Sequence, residues 1–300
     1  SPELPGRMKA AIHMDMVGGN PAKTKAIFHV TRGPMSLPSF TYDVAEVFGK
    51  FVNQQSDTFA STGRSEYRLH SPEGGKEALL ASLVDFTMGS DHQIYSEGSY
   101  RIPAIYMNDW PDRYIHTNFD TPANIDPTKL KRAGFIGATS GYYLANLNAK
   151  HAPALWELAK RQVLRRTAEM LKRREALTKD EADNLTRQHL RYERTQIRSM
   201  ASFFNIPDNI SAEAETFFSG LESLVGGPKP APEAEGDGLL VFSRNPEIKG
   251  PTSVFGYNYF SARYDVESNG PVRLFAYQGI RAGGGAYAYE TLNLVDGKRN

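Results

Sequence analysis

Three short stretches of this chain carry side chains able to do acid–base or metal chemistry. The first is His13-Met14-Asp15-Met16-Val17-Gly18, where an acid closes an apolar, strand-like run that begins at residue 8. A carboxylate at the end of such a strand is costly unless it is paired or ligates a metal. In a layered α/β sheet, that end of a strand is where ligands bind. The second stretch is Gly89-Ser90-Asp91-His92. The third is His116-Thr117-Asn118-Phe119-Asp120-Thr121, just after a strand-like run at 101–107. A carboxylate and an imidazole from separate strand ends are donors that zinc accepts. Carboxylates close to each histidine can orient its ring. Taken singly, each stretch also has a plainer reading. A lone Asp at a strand end is usually a turn or cap residue, and Asp-His and His-Thr pairs arise by chance.

The surrounding pattern predicts elements that place these stretches at strand ends. Residues 8–18 read as a strand entering the turn Gly18-Gly19-Asn20, and 26–31 as a second short strand. Residues 41–54 read as a helix, with Val44, Val47, Phe48 and Phe51 at helical spacing. The stretch 77–86 is compatible with helix or strand. In the strand at 101–107, Pro103 sits near the start, where a missing N–H is tolerated. Asp126 is a good N-cap with Pro127 at the first helical position, opening a helix to about residue 148. Strands alternating with helices predict an α/β fold with a mixed sheet flanked by helices over 1–150.

The character changes near His151. Residues 151–226 read as a helical extension, with Trp156, Ala159, Val163 and Leu164 in one stripe and a capping box from Thr178 to Glu181. Residues 227–238 read as a linker. Residues 239–300 read as a small β-rich region, with alternation at 254–260 and 273–277. The basic run from Lys160 to Arg174 reads as the solvated face of an amphipathic helix rather than a nucleic-acid or membrane surface. The aromatic cluster Tyr257, Tyr259, Phe260 and Tyr264 reads as a sheet face, and Gly283-Gly284-Gly285 as a flexible turn. His151 and His189 read as surface residues.

Composition narrows the chemistry. The chain has 300 residues, a net charge of +1 and no cysteine. Without cysteine there is no disulfide, no thiolate catalysis and no Cys-ligated zinc, so a metal must be held by His, Asp or Glu. The balanced charge gives no field that points to nucleic acid or an anionic membrane. No apolar run is long enough to span a bilayer. Ser1 to Arg7 lack the basic start and apolar core of a signal peptide. A strand this close to the start, and the ending at Asp296-Gly297-Lys298-Arg299-Asn300, lead us to expect that the chain begins within a longer protein.

Taken in order, "MDMVG", "SDH" and "HTNFDT", followed by "PANIDPTKL" and a helix containing Gly and Tyr, resemble the second half of the co-catalytic zinc aminopeptidases of clan MH. These include the leucyl aminopeptidase and aminopeptidase Y types, and glutaminyl cyclases share their fold. The resemblance covers about residues 8–150. It implies a hydrolase that removes N-terminal residues from peptides with a free N-terminus, using two zinc ions. It implies Asp15 and His116 as zinc ligands. Asp91, His92 and Asp120 become residues that support the site or contact substrate, and Tyr95 and Tyr114, with Tyr100 and Trp110, candidates for an apolar side-chain pocket. It also suggests an exported bacterial enzyme, periplasmic or secreted.

One departure is large. The family needs an earlier His-x-Asp, whose Asp bridges the ions, and a Glu-Glu pair that supplies the general base and a further ligand. No Glu-Glu occurs in this sequence. His13-Met14-Asp15 has the His-x-Asp spacing, but its Met-Val-Gly sequel fits the later motif, so His13 is read as a neighbour of the site. The base and bridging Asp are expected upstream of Ser1. In the family the two zinc ions activate a shared water and polarise the scissile carbonyl. Two other readings stay open: a glutaminyl-cyclase-like acyltransferase holding one zinc, and a non-catalytic interaction module. The helical extension is then a candidate for oligomerisation.

Overall fold

A computed structural model describes residues 4–231, 233–247, 263 and 284–298. Four strands form one mixed sheet: β1 (Ala11–Asp15), β2 (Ile27–Thr31), β3 (Ser82–Val84) and β4 (Ala104–Trp110), in the order β1-β4-β2-β3. β1 runs parallel to β4, with Asp15 opposite Asn108 and His13 opposite Tyr106. β4 runs antiparallel to β2, and β2 parallel to β3. The expected mixed sheet flanked by helices is therefore present, and the ambiguous stretch 77–86 contributes strand β3.

Alternation along β4 divides the sheet chemically, because successive side chains point to opposite faces. Ile105 and Met107, with Phe28 and Val30 of β2, lie in the apolar core. Two long helices, α3 (Thr41–Thr62) and α5 (Pro127–Ala145), supply Val44, Val52, Ala133 and Ile136 to that core. Gly137 lets α5 lie close to the sheet: a Cβ there would meet Met14 Sδ at 2.8 Å and Met107 Cε at 3.0 Å. His13, Asp15, Tyr106 and Asn108 occupy the other face. There the short helix α4 (His92–Ser96), together with the loop that leads into it, packs over β1 and β4.

Short elements fit their local chemistry. Asn20 caps α2 (Pro21–Thr24), accepting from the N–H groups of Ala22 and Lys23. Asp126 caps α5 as expected, accepting from Lys129 N at 2.9 Å, and its second oxygen accepts from Gly75 N at 2.8 Å. A four-residue helix α1 (Leu4–Arg7) precedes β1. Beyond α5 come α6 (Ala152–Arg174), α7 (Lys179–Arg198) and α8 (Asp208–Leu224). Thr178 and Glu181 form the expected capping box at α7. One apolar cluster runs from Phe28 in the sheet to Val225 after α8, so these helices share the core of the sheet. No helix among the described residues is long and apolar enough to cross a membrane.

Several expectations change. α3 continues through Thr62, past the expected end at 54. In the stripe read for α6, Trp156, Ala159 and Val163 are buried but Leu164 is exposed. The basic run is not uniformly solvated. Arg166 binds Asp43 and Glu193, and Arg165 binds Glu46, because α3 turns two acids toward α6. His189 is mostly buried against Thr167, its Nε2 lying 2.9 Å from the hydroxyl. His151 is half-buried and serves the turn before α6, where it completes a capping box with Asn148. Within the expected β-rich region, residues 284–294 form a helix, α9 (Gly284–Leu294), which begins at two of the three glycines read as a turn. Its aromatic and polar side chains dock on α4, and this tertiary contact overrides the strand-like composition. The alternations at 254–260 and 273–277, and the aromatic cluster at 257–264, lie outside the described residues.

Candidate functional site

Asp15 closes β1 at its C-terminal end, as expected. Its Oδ2 accepts a hydrogen bond from Ser90 Oγ at 2.7 Å. His13, two residues back on the same face, places Nε2 2.8 Å from that hydroxyl. The arrangement requires the ring to donate, because the hydroxyl proton is already directed at Asp15. Asp15 Oδ1 has no hydrogen-bond partner among the described residues, which leaves one carboxylate oxygen for a ligand.

His92 stacks over Tyr106, with centroids 4.0 Å apart and planes 12° apart. It is fully buried, its Nε2 is 2.6 Å from the carbonyl of Thr87, and its Nδ1 has no partner among the described residues. Nε2 therefore carries the proton. Burial pushes the pKa of His92 down to about 4, and His13 nearby adds to the effect. Burial also raises the Tyr106 phenol to about 12, with Asp15 pushing in the same direction.

His92 gives a pH prediction. Its folded pKa lies below its ordinary value of 6.5. Between those values the unfolded chain binds the extra proton, so stability is full above 6.5 and is lost as pH falls toward 4. The expected loss from this group is about 3 kcal/mol. Unfolding midpoints measured from pH 7 to pH 4 should fall, and His92→Asn should flatten the slope. An unchanged slope in the variant would remove His92 as its source.

The turn after Asp15 is pinned from two sides. Met16 adopts φ 58°, a left-handed conformation uncommon for a residue with a side chain. The Asp109 N–H donates to Met16 O at 3.0 Å, and Gly19 N–H donates to Asp109 Oδ2 at 2.9 Å. Lys129 Nζ is 2.5 Å from Asp109 Oδ1, and both side chains are at most 3% exposed. Burial raises the Asp109 carboxyl, and Lys129 opposes that shift.

The same turn is joined to the segment that follows His116. Asn20 N donates to Asn124 O at 2.7 Å, Asp126 N donates to Gly18 O at 2.8 Å, and Gly19 bridges Ile125. His116 itself is exposed and has φ 60°. A turn with the Thr117 hydroxyl bonded to Tyr114 O at 2.6 Å holds it. Left-handed residues at both candidate donor turns are the kind of stored strain that gathers at functional sites.

The other expected residues are placed less centrally. Asp91 is exposed and caps α4 without a side-chain hydrogen bond. Asp120 is exposed in the loop after His116, and its N–H donates to Thr117 O. Tyr95 is half-buried on α4, and Tyr114 is half-buried beneath Arg113. No hydrogen bond or ring contact joins these four to Asp15 among the described residues. Ser90, Tyr106, Asn108, Asp109 and Lys129 were not singled out as site residues. The alternation in β4 marks Tyr106 and Asn108, whereas nothing local marks the Asp109–Lys129 pair.

Asp15 and His116 have the donor chemistry zinc takes. Two donors do not make a zinc site, and no group of three or more His, Asp or Glu side chains among the described residues is arranged to hold a metal. Ser90→Ala removes the hydroxyl that orients Asp15. Should Asp15 ligate a metal in the complete site, this is expected to weaken that binding by about 10–100-fold, the usual effect of losing an orienting partner. Calorimetric titration with zinc checks this, and an unchanged affinity would separate Ser90 from the site.

Residues 5–140 match the family model described as peptidase family M28. No curated protein and no solved structure gives a match.

Proposed function

We propose that this chain, whose residues 5–140 match peptidase family M28, supplies Asp15 and His116 to the metal centre of a zinc aminopeptidase. That match supports a metal-dependent peptidase, a hydrolase. The observation that carries the finer reading is Asp15 itself: a carboxylate at a strand end, held through one oxygen by Ser90 and free at the other among the described residues. The turn that follows it is hydrogen-bonded to the segment downstream of His116.

In this reading the remaining donors and the general base lie outside these 300 residues, because two donors are too few and the chain holds no Glu-Glu. The chain's own share is positional. Ser90 and His13 set the Asp15 carboxylate, the Asp109–Lys129 pair sets the turn behind it, and α5 carries the segment that follows His116. We assign residues 151–226 as an extension that braces α3, and residues 227–238 as a linker.

The test uses the polypeptide that also carries the remaining donors. It should release the first residue from a peptide with a free N-terminus, spare the N-acetylated peptide, and lose this activity on Asp15→Ala. Conversion of an N-terminal Gln to pyroglutamate without hydrolysis would favour the acyltransferase reading. Neither activity would favour a non-catalytic module.

A further inference from the structure

We infer that α9 is a clamp on the candidate site, so that residues far beyond the family-matched segment position Ser90 and Asp15 through α4. α9 touches α4 and its approach loop at both ends of its exposed-to-buried face. Tyr289 is 1% exposed; its ring stacks on Phe86 at 5.2 Å, and its hydroxyl donates to the carbonyl of Gln93 on α4. Asn293 is 2% exposed and its amide donates to the carbonyl of Ser96, at the end of α4, at 3.4 Å. Glu290 fixes the helix from the other side, accepting from Met35 N at 2.7 Å and Ser36 N at 2.8 Å.

The contacts continue to the site without a gap. Phe86 meets His92 edge-on at 5.6 Å, and His92 stacks on Tyr106 beside His13. Ser90 stands two residues before His92 and donates to Asp15. α4 is only five residues long, and a helix of that length has almost no stability of its own. Its position must come from tertiary contact. The sheet supplies one side of that contact through Tyr106, and α9 supplies the other. Tyr289 is thus a positioning residue: it acts on Asp15 only through α4.

The consequence for metal binding rests on the reading of Asp15 as a ligand; the clamp itself does not. The experiment therefore has two arms, the first on the whole chain. Amide hydrogen exchange of residues 92–96 is compared in wild type, Tyr289→Ala and Tyr289→Phe. Cobalt(II) binding is followed by absorption with the same substitutions in the polypeptide that also carries the remaining donors, with Asp15→Ala as control. Tyr289→Ala should speed exchange at 92–96 by tenfold or more and weaken Asp15-dependent cobalt binding by about tenfold. Tyr289→Phe keeps the ring and should restore most of both, which a general loss of stability would not do. Glu290→Gln tests the same docking without opening a cavity if Tyr289→Ala does not fold. Unchanged exchange in Tyr289→Ala overturns the clamp. Faster exchange with unchanged Asp15-dependent binding overturns its link to the site. Cobalt binding that survives Asp15→Ala refutes the ligand reading alone, and exchange then decides the clamp.

Discussion

Replacing Arg166 with methionine is expected to destabilise the chain by about 3–5 kcal/mol, the usual result of removing one partner from a buried ion pair. Arg166 lies between two acids that water barely reaches. It reaches Asp43 Oδ1 at 2.6 Å and Glu193 Oε1 at 2.6 Å, and a second nitrogen meets Glu193 Oε2 at 2.7 Å. Glu193 is fully buried and Asp43 is 2% exposed. Burial already pushes the Glu193 carboxyl upward, and Arg166 is the main group opposing that shift. Without the guanidinium, two carboxylates share a dry site. Arg32 and Gln196 also reach Asp43, at 3.0 Å and 2.5 Å, so α3, α6, α7 and the end of β2 are tied at one point. Urea unfolding of wild type and Arg166→Met measures the loss. Adding Glu193→Gln to the variant should recover part of it. A loss under about 1 kcal/mol, as for an exposed pair, would mean that the network is solvated.

Lys129→Met is expected to act by the same physics at the other end of the sheet, with a loss of about 3–5 kcal/mol. It strands Asp109, whose side chain is 0% exposed and whose second oxygen holds Gly19 N–H. Asp109→Asn leaves an oxygen for Gly19 but removes the charge that Lys129 needs, so it too should destabilise. The double variant Asp109→Asn/Lys129→Met should cost less than the sum, because each single change leaves an unpaired buried group. Additive losses in this cycle would show that the two side chains do not interact.

The sequence was most informative where local rules decide. Asp126 and Pro127 mark the start of α5, and Thr178 with Glu181 marks the start of α7, because caps depend on a few neighbouring residues. Asp15 was legible because an acid ending an apolar strand needs a reason. Ser90 was seen only as part of its motif. Its hydroxyl finds Asp15 at a separation of 75 positions, a pairing set by sheet order and not by spacing. Arg165 and Arg166 were read as solvated because helical periodicity says nothing of the acids on another helix. α9 fell inside a region read as β-rich from alternations elsewhere in it, while its helical state is supported by docking against α4.

The central proposal is that Asp15 and His116 are donors to the same metal centre, on one ion or on neighbouring ions. The most direct test is calorimetric titration of zinc into the polypeptide that also carries the remaining donors, with and without Asp15→Ala/His116→Ala. The account predicts tight zinc binding that is lost in the double variant. Equal binding in both proteins would place the metal elsewhere and contradict the account.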